Sequence, residues 1–428
     1  MLSTEANNRL ARVGPGTPAG ALFRSYWLPF ALSSELPEAD GAPIRVRILG
    51  EDLVAYRDSA GKLGLVDAFC PHRRAPMFFG RNEEQGLRCV YHGWKFDRTG
   101  ACVDMPSEPA DSLFKTKVTI AAYPTWEGGG MIWTYLGPAA SAPPLPDYEF
   151  VRAPATHRYV SKQVQDCNYL QALEGGLDSS HATIMHRAEI GDLTWLADYD
   201  RTVPRIGVEP TPYGYQYSGV RNVEGKQWVR LYQYIMPAIQ MRGRIEGSFG
   251  GNLSYVTEDD VPTINGHVWV PIDDETVAVY NFLYSSDPAK PVTHAFAMAS
   301  ERRDGRNDAL LLPDFRSKLN LANDYQIDRA IQRTTTMTGI DGINAQDVAL
   351  QEGMGVLVDR SKEHLGTTDR PIITMRKMML EAIDDVAAGR APRGTDAEAY
   401  RNVRALDHII DKDADWRVAL AHEMTAKF

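Results

Sequence analysis

Short runs that alternate apolar and polar residues fill the first third of the chain. Ile44-Arg-Val-Arg-Ile48, Leu53-Val-Ala-Tyr56 and Leu63-Gly-Leu-Val66 come one after another, with turn residues such as Asp58-Ser-Ala-Gly61 between them. A period of two with closely spaced turns predicts an antiparallel β domain. The pattern runs on to Met131-Ile-Trp-Thr-Tyr135. Ahead of it, residues 1–24 read as a helix and loop ending in Val13-Gly-Pro-Gly-Thr-Pro18. Behind it, Leu136–Pro146 carries four prolines among small residues, which predicts a stiff linker. A helical stretch over 165–186 comes next. A second β-rich block succeeds it, with Tyr213-Gly-Tyr-Gln-Tyr217, Trp228-Val-Arg-Leu-Tyr232 and Gly266–Ile272, and helices are expected from about 310 to the end. The expected fold class is α+β. It divides into a helix and loop over 1–24, a β domain over 25–140, a linker over 141–150, and a sheet covered by helices over 151–428.

Composition sharpens this picture only a little. With 428 residues, two domains are expected, each able to bury its own core. A net charge of −10 argues against a nucleic-acid surface. No apolar run reaches the roughly 18 residues of a membrane helix. The start, Met1-Leu-Ser-Thr-Glu-Ala-Asn-Asn8, lacks a basic segment followed by an apolar one, so the expected location is cytoplasmic. Of the four cysteines, Cys102 and Cys167 are expected as free thiols in a reducing compartment.

The other two carry the chemistry. Cys70-Pro-His72 and Cys89-Val-Tyr-His92 are Cys/His pairs with sixteen residues between them. In a Rieske [2Fe–2S] cluster two Cys hold one iron and two His hold the other. Tetrahedral zinc also accepts two Cys and two His, but its ligands usually pair as Cys with Cys and His with His. The mixed pairs favour the cluster. Cys70-Pro-His-Arg-Arg74 and Cys89-Val-Tyr-His-Gly-Trp-Lys-Phe-Asp97 resemble the Rieske domain of ring-hydroxylating oxygenases. Respiratory Rieske proteins carry an extra Cys in each ligand loop; neither loop has one here.

About a hundred residues on, Asp166-Cys-Asn168-Tyr169 leads through Glu174 and Asp178 to His181 and His186. On an ideal helix two residues five positions apart point about 140° apart. One metal could take both only across a π-bulge or helix break, expected near Ala182–Met185. Asp178 falls on the same helical face as His181 and is placed to accept a hydrogen bond from its ring. The segment is similar to the Asn-aromatic…Glu…Asp…His…His element of Rieske oxygenases, although Tyr169 stands where many relatives have Trp. The resemblance implies that His181, His186 and one distant carboxylate hold a mononuclear Fe(II). It implies that Asp178 bridges this site to a Rieske His of a neighbouring subunit. It places Asn168 nearby, as a hydrogen-bonding group or as a helix cap. Asp347, in Asn344-Ala-Gln-Asp347, is the favoured carboxylate, with Asp341 and Asp359 as rivals. The Gln346-Asp347 pair, followed by Gly353-Met-Gly355 and Asp359-Arg-Ser-Lys-Glu-His-Leu-Gly366, looks like the single-subunit-type oxygenases related to phthalate 4,5-dioxygenase.

The resemblance implies a terminal oxygenase using O₂. No nicotinamide or flavin motif is visible, so NAD(P)H would act only indirectly, through a separate ferredoxin or flavin reductase. The resemblance further implies a ring-like oligomer for electron transfer between subunits, a homotrimer or a multiple of it. Arg205, Arg242 and Arg244 are candidate contacts for an aromatic carboxylate. The expected chemistry is ring dihydroxylation or O-demethylation. N-demethylation of a non-carboxylate aromatic and a non-catalytic Rieske electron carrier are the alternatives.

Overall fold

The computed structural model describes residues 2–187, 194–223, 225–243, 261–307 and 309–428. Its N-terminal β region is built from three small antiparallel sheets. Trp27–Leu32 pairs with Met131–Tyr135, which pairs with Thr125–Gly128. Ile44–Ile48, Glu51–Arg57 and Leu63–Asp67 form a meander, with the expected runs in the expected places. Four short strands from Arg81–Glu83 to Cys102–Asp104 form the third sheet. A small separate core, including Tyr56, Met77, Leu87, Trp94 and Phe96, takes in Cys70, Cys89 and Cys102.

The second region is an eight-stranded antiparallel sheet. Its order runs Arg158–Gln165, Val277–Ser285, Thr263–Pro271, Ile239–Gly243, Lys226–Ile235, Gly214–Val223, Arg205–Thr211. The eighth strand, Leu406–Asp411, pairs beside Lys226–Ile235 and corrects the expectation of helices to the end of the chain. Leu-Asp-His-Ile-Ile-Asp is too charged to read as a strand alone; it is held because Leu406 is buried and the ladder runs from Lys226↔Asp411 to Leu231↔Leu406. The helix Arg370–Ala387 packs on the sheet, and the helix Ile343–Gly353 packs against Tyr169–Leu177 and His294–Asp304.

Residues 1–24 form two short helices, Thr4–Ala11 and Pro18–Phe23. They dock on the second region: Tyr169 donates to the Leu10 carbonyl at 2.7 Å, and Asn7 Nδ2 donates to the Val358 carbonyl at 2.9 Å.

The stretch 165–186 departs most from expectation. Strand geometry persists through Gln165, and the helix covers only Tyr169–Leu177. The chain leaves helical dihedrals at Asp178, and a 3₁₀ turn holds His181–Thr183. The break thus comes before both histidines, with no π-bulge there. Asp178 itself causes it: its Oδ1 accepts from the Ser180 N–H at 2.7 Å and from Ser180 Oγ at 2.6 Å, a local alternative to the helical ladder. Gly175 and Gly176 let the helix lie close to its neighbours. A Cβ on Gly176 would stand 2.3 Å from Trp269 Cη2, and one on Gly175 2.3 Å from Gln351 Nε2.

Candidate metal centres and substrate cavity

At the tip of the β region two loops each close on themselves. Cys70 N–H donates to the Ala75 carbonyl and Cys89 N–H to the Trp94 carbonyl, both at 2.8 Å. The thiols of Cys70 and Cys89 touch one another and are buried, while His72 is exposed and His92 half-buried. The two imidazoles lie 4.3 Å apart, and His72 stacks on Trp94. Burial, opposed by the His72 backbone N–H and aided by the Cys89 thiol, pushes Cys70 up to about 11. An inner pair of sulfurs and an outer pair of ring nitrogens is the donor set of a Rieske cluster, so the residues fit that group.

The second centre joins the turn after the Tyr169–Leu177 helix to the Ile343–Gly353 helix. Asp347 Oδ1 lies 3.4 Å from His181 Nε2 and 3.3 Å from His186 Nε2. One donor atom from each of these three residues falls within 4.8 Å of the others. Asp341 and Asp359 are not brought there: both are exposed, and Asp359 caps the turn Arg360–Lys362. Both rings are held from behind. Asp178 Oδ2 lies 3.2 Å from His181 Nδ1. Gln346 Oε1 lies 2.9 Å from His186 Nδ1, while Gln346 Nε2 donates to the Ile340 carbonyl, which leaves its oxygen as the acceptor. Each Nδ1 therefore donates its proton to the group behind it, and each Nε2 is the atom turned toward Asp347, where a metal would displace any proton it holds. Burial raises Asp178, yet hydrogen bonds from His181 and Ser180 bring it down to about 2. Burial opposes charge on His181, but Asp178 and Asp347 push it up to about 10. Asp347 stays well below the usual carboxylate range despite burial, because both imidazoles face it. Two imidazoles and a carboxylate converging on one point fit non-haem Fe(II).

Gln346 is a positioning group that sequence reasoning missed. Its only signal was its place beside Asp347. Gln346→Leu is expected to weaken iron binding about 10- to 100-fold at unchanged cluster content, measured by metal titration of the apo site.

Asn168 is not brought to the centre. It caps the Tyr169–Leu177 helix, accepting from Leu170 N–H at 3.1 Å, and both amide hydrogens are used on the carbonyls of Ala11 and Asp274.

Beside the His181–His186–Asp347 group, Arg230, Tyr232, Arg242, His267 and Trp269 line a cavity. Arg242 reaches it from Ile239–Gly243, opposite Tyr232. Among the described residues no hydrogen bond or ion pair ties its guanidinium, and burial together with Arg230 lowers its pKa. Arg230, also missed from sequence, is held: its Nε lies 2.8 Å from Asp407 Oδ2, and Trp228 Nε1 donates to Asp407 Oδ1. Arg205 does not reach the cavity. It starts an outer strand, is exposed, and contacts Asn222 Oδ1 at 3.2 Å. Arg244 lies outside the described residues.

The turn that carries Asp178 is clamped from the sheet. Fully buried Arg221 donates to the Ser179 carbonyl at 2.7 Å, and Ser179 Oγ lies 2.8 Å from Tyr232 OH.

Residues 26–124 match the family described as Rieske [2Fe-2S] domain, and residues 134–427 match LigXa C-terminal domain like. A β region bearing that cluster, joined to an α+β region bearing an iron site, defines the oxygenase subunit of a Rieske-type non-haem iron system, an oxidoreductase. The phthalate 4,5-dioxygenase oxygenase subunit of Pseudomonas putida is 36% identical, over 97% of this chain and 94% of its own length. The 5,5'-dehydrodivanillate O-demethylase oxygenase subunit of Sphingobium sp. is 32% identical over 100% of this chain and 90% of its own. The chain belongs to the phthalate 4,5-dioxygenase-like group of Rieske oxygenase alpha subunits. Its fold is similar to that of dicamba monooxygenase bound to dicamba, with a TM-score of 0.59 at 17% identity, covering 86% of this chain and 99% of that one. The Pseudomonas putida CBB5 NdmA QL mutant with caffeine gives a TM-score of 0.62 at 17% identity, covering 92% and 98%. No described helix is long and apolar enough to cross a membrane.

Proposed function

We propose that this chain is the terminal oxygenase that oxygenates an aromatic carboxylate, by ring dihydroxylation or O-demethylation. Cys70, Cys89, His72 and His92 would hold the [2Fe–2S] cluster, and His181, His186 and Asp347 the mononuclear iron. When bound, these groups supply stored electrons and a coordination face open to O₂. The chain's own residues do the rest. Asp178 and Gln346 keep the two imidazoles in the ligating tautomer. Arg242 takes the substrate carboxylate and turns the ring toward the triad.

Arg242 is the observation that carries the substrate class: a cavity-lining guanidinium with no bonded partner among the described residues. The relatives named for phthalate and dehydrodivanillate support the same class. Electrons would come from a separate reductase. A head-to-tail ring of copies would set His72 and His92 of one copy against Asp178 of the next. Phe79, Val90, Tyr91, Leu113 and Phe114, all exposed apolar side chains in the region that carries the cluster loops, suit a covered surface.

Single turnover of chemically reduced protein with O₂ and a panel of aromatic carboxylates tests the reading. A product gaining two oxygens and two hydrogens marks dihydroxylation; loss of methyl with formaldehyde marks demethylation. No product from the panel overturns the carboxylate assignment. Arg242→Met should raise KM for the carboxylate roughly ten- to a hundredfold at unchanged cluster and iron content.

A further inference from the structure

His267 lines the same cavity as the iron triad and is otherwise buried, at 6% exposure on the Thr263–Pro271 strand. Its Nδ1 lies 2.7 Å from Oδ1 of Asn281, its partner directly across the sheet. Asn281 Nδ2 in turn donates to Ser161 Oγ, 3.2 Å away on the next strand. The Asn281 oxygen therefore faces the ring, and an amide oxygen only accepts. Nδ1 must carry the ring proton, which leaves a lone pair on Nε2. Among the described residues nothing is hydrogen-bonded to Nε2. Burial, with the positive charges of Arg242 and Arg306, holds the ring neutral, with a pKa brought down to about 3. The same cations favour a lone pair over a second N–H on this ring.

Arg230 and Arg242, on the same sheet as His267, offer the cavity only donors, and the lone pair at His267 adds an acceptor beside them. A carboxylate satisfies a guanidinium but has no hydrogen to give an imidazole. A second, donating group on the substrate is needed to pair that nitrogen.

We propose that His267 is a specificity-determining residue whose Nε2 accepts a hydrogen bond from a hydroxyl on the substrate ring, which narrows the substrate class to hydroxylated aromatic carboxylates. The inference rests on the carboxylate reading of the same cavity. A ring with no donor would bury this acceptor unpaired and lose about ten- to a hundredfold in affinity.

The test is anaerobic calorimetric titration of the holoenzyme, with cluster and iron, using benzoate, the three hydroxybenzoates and the three methoxybenzoates. A methoxy group keeps the oxygen and removes the donor. At least one hydroxybenzoate should bind about tenfold or more tightly than both benzoate and its methoxy counterpart. His267→Phe should abolish that preference, weakening the hydroxybenzoate relative to benzoate. His267→Gln, whose side-chain oxygen also accepts, should retain part of it. No hydroxybenzoate outbinding its methoxy counterpart would overturn the proposal, as would equal weakening of benzoate and hydroxybenzoate by His267→Phe. Should the Phe variant fail to fold, the wild-type pairs and the Gln variant decide. Hydroxybenzyl alcohols separate the two readings. If they bind as well as hydroxybenzoates, the carboxylate assignment fails, and hydroxyl against methoxy is then compared on the alcohols.

Discussion

Asp178→Ala is expected to retain the cluster and, with iron supplied in excess, the mononuclear iron, yet to lose turnover by about a hundredfold or more. The carboxylate does two things at once. One oxygen, engaged by Ser180, shapes the turn; the other lies 3.2 Å from His181 Nδ1. Held near a pKa of about 2, it is an acceptor at any working pH. The approach of His181 to Asp347 and the ligating tautomer both depend on it. In the proposed ring it is also the link to the neighbouring cluster. Asp178→Asn separates these duties, since an amide oxygen can still accept from Nδ1–H but carries no charge. Iron and sulfide analysis, the spectrum of the reduced cluster and the rate of cluster reoxidation in a single turnover give the answer. Normal reoxidation in the Ala variant would remove the intersubunit route. Loss of iron in both variants would confine Asp178 to holding His181.

Glu174→Ala is expected to cost about 3–5 kcal/mol of stability, because it takes the close carboxylate from the fully buried Arg360 guanidinium and one of two carboxylates from Arg376. Glu174 receives Arg360 Nη2 at 2.8 Å and Arg376 Nε at 2.6 Å. Arg360 is fully buried and also donates to Asn7 Oδ1 at 3.1 Å, and Arg376 is shared with Glu363. One carboxylate thus joins the Tyr169–Leu177 helix to the turn at Arg360 and the Arg370–Ala387 helix and, through Arg360, to the N-terminal helix. Urea unfolding of apo protein, followed by far-UV circular dichroism, reads the loss directly. Unchanged stability would mean that the two arginines find other partners.

The candidate ligand residue types were legible because coordination tolerates few alternatives: thiolates and imidazoles in mixed pairs, then two imidazoles and an acid. What each residue of the Asn168–His186 segment does was less so. Asn168 and Glu174 share a motif with Asp178 and His181, yet they build the frame by capping and ion pairing. That division depends on which neighbours the fold supplies. The Gln-Asp context at a helix start favours Asp347, but setting aside its rivals Asp341 and Asp359 needed the fold, which brings Asp347 to both histidines. Arg230 gave no signal of its own, because its partner Asp407 sits on a strand hidden among charged residues. Arg205 shows the reverse: a Pro-Arg step suggests a pocket, but the strand it begins lies at the outer end of the sheet. The five-residue His spacing implies a helix break, yet the break falls at Asp178, where side-chain hydrogen bonding rather than metal geometry ends the helix.

The strand Leu406–Asp411 also bears on how the molecule is made. Trp228 and Asp407 are hydrogen-bonded across 179 positions of chain. On the ribosome, the sheet bearing Arg230 is synthesised long before the carboxylate that neutralises it. Until then a charged wall would face an unfinished groove, and contacts this distant in sequence form late and slowly. The substrate cavity is therefore expected to be among the last features to mature, after the cluster-bearing domain has had time to fold and accept its iron and sulfide. In a pulse-labelled synthesis, chains stopped before Leu406 should already hold the N-terminal β domain protected from protease while the sheet around Arg230 remains open to cleavage.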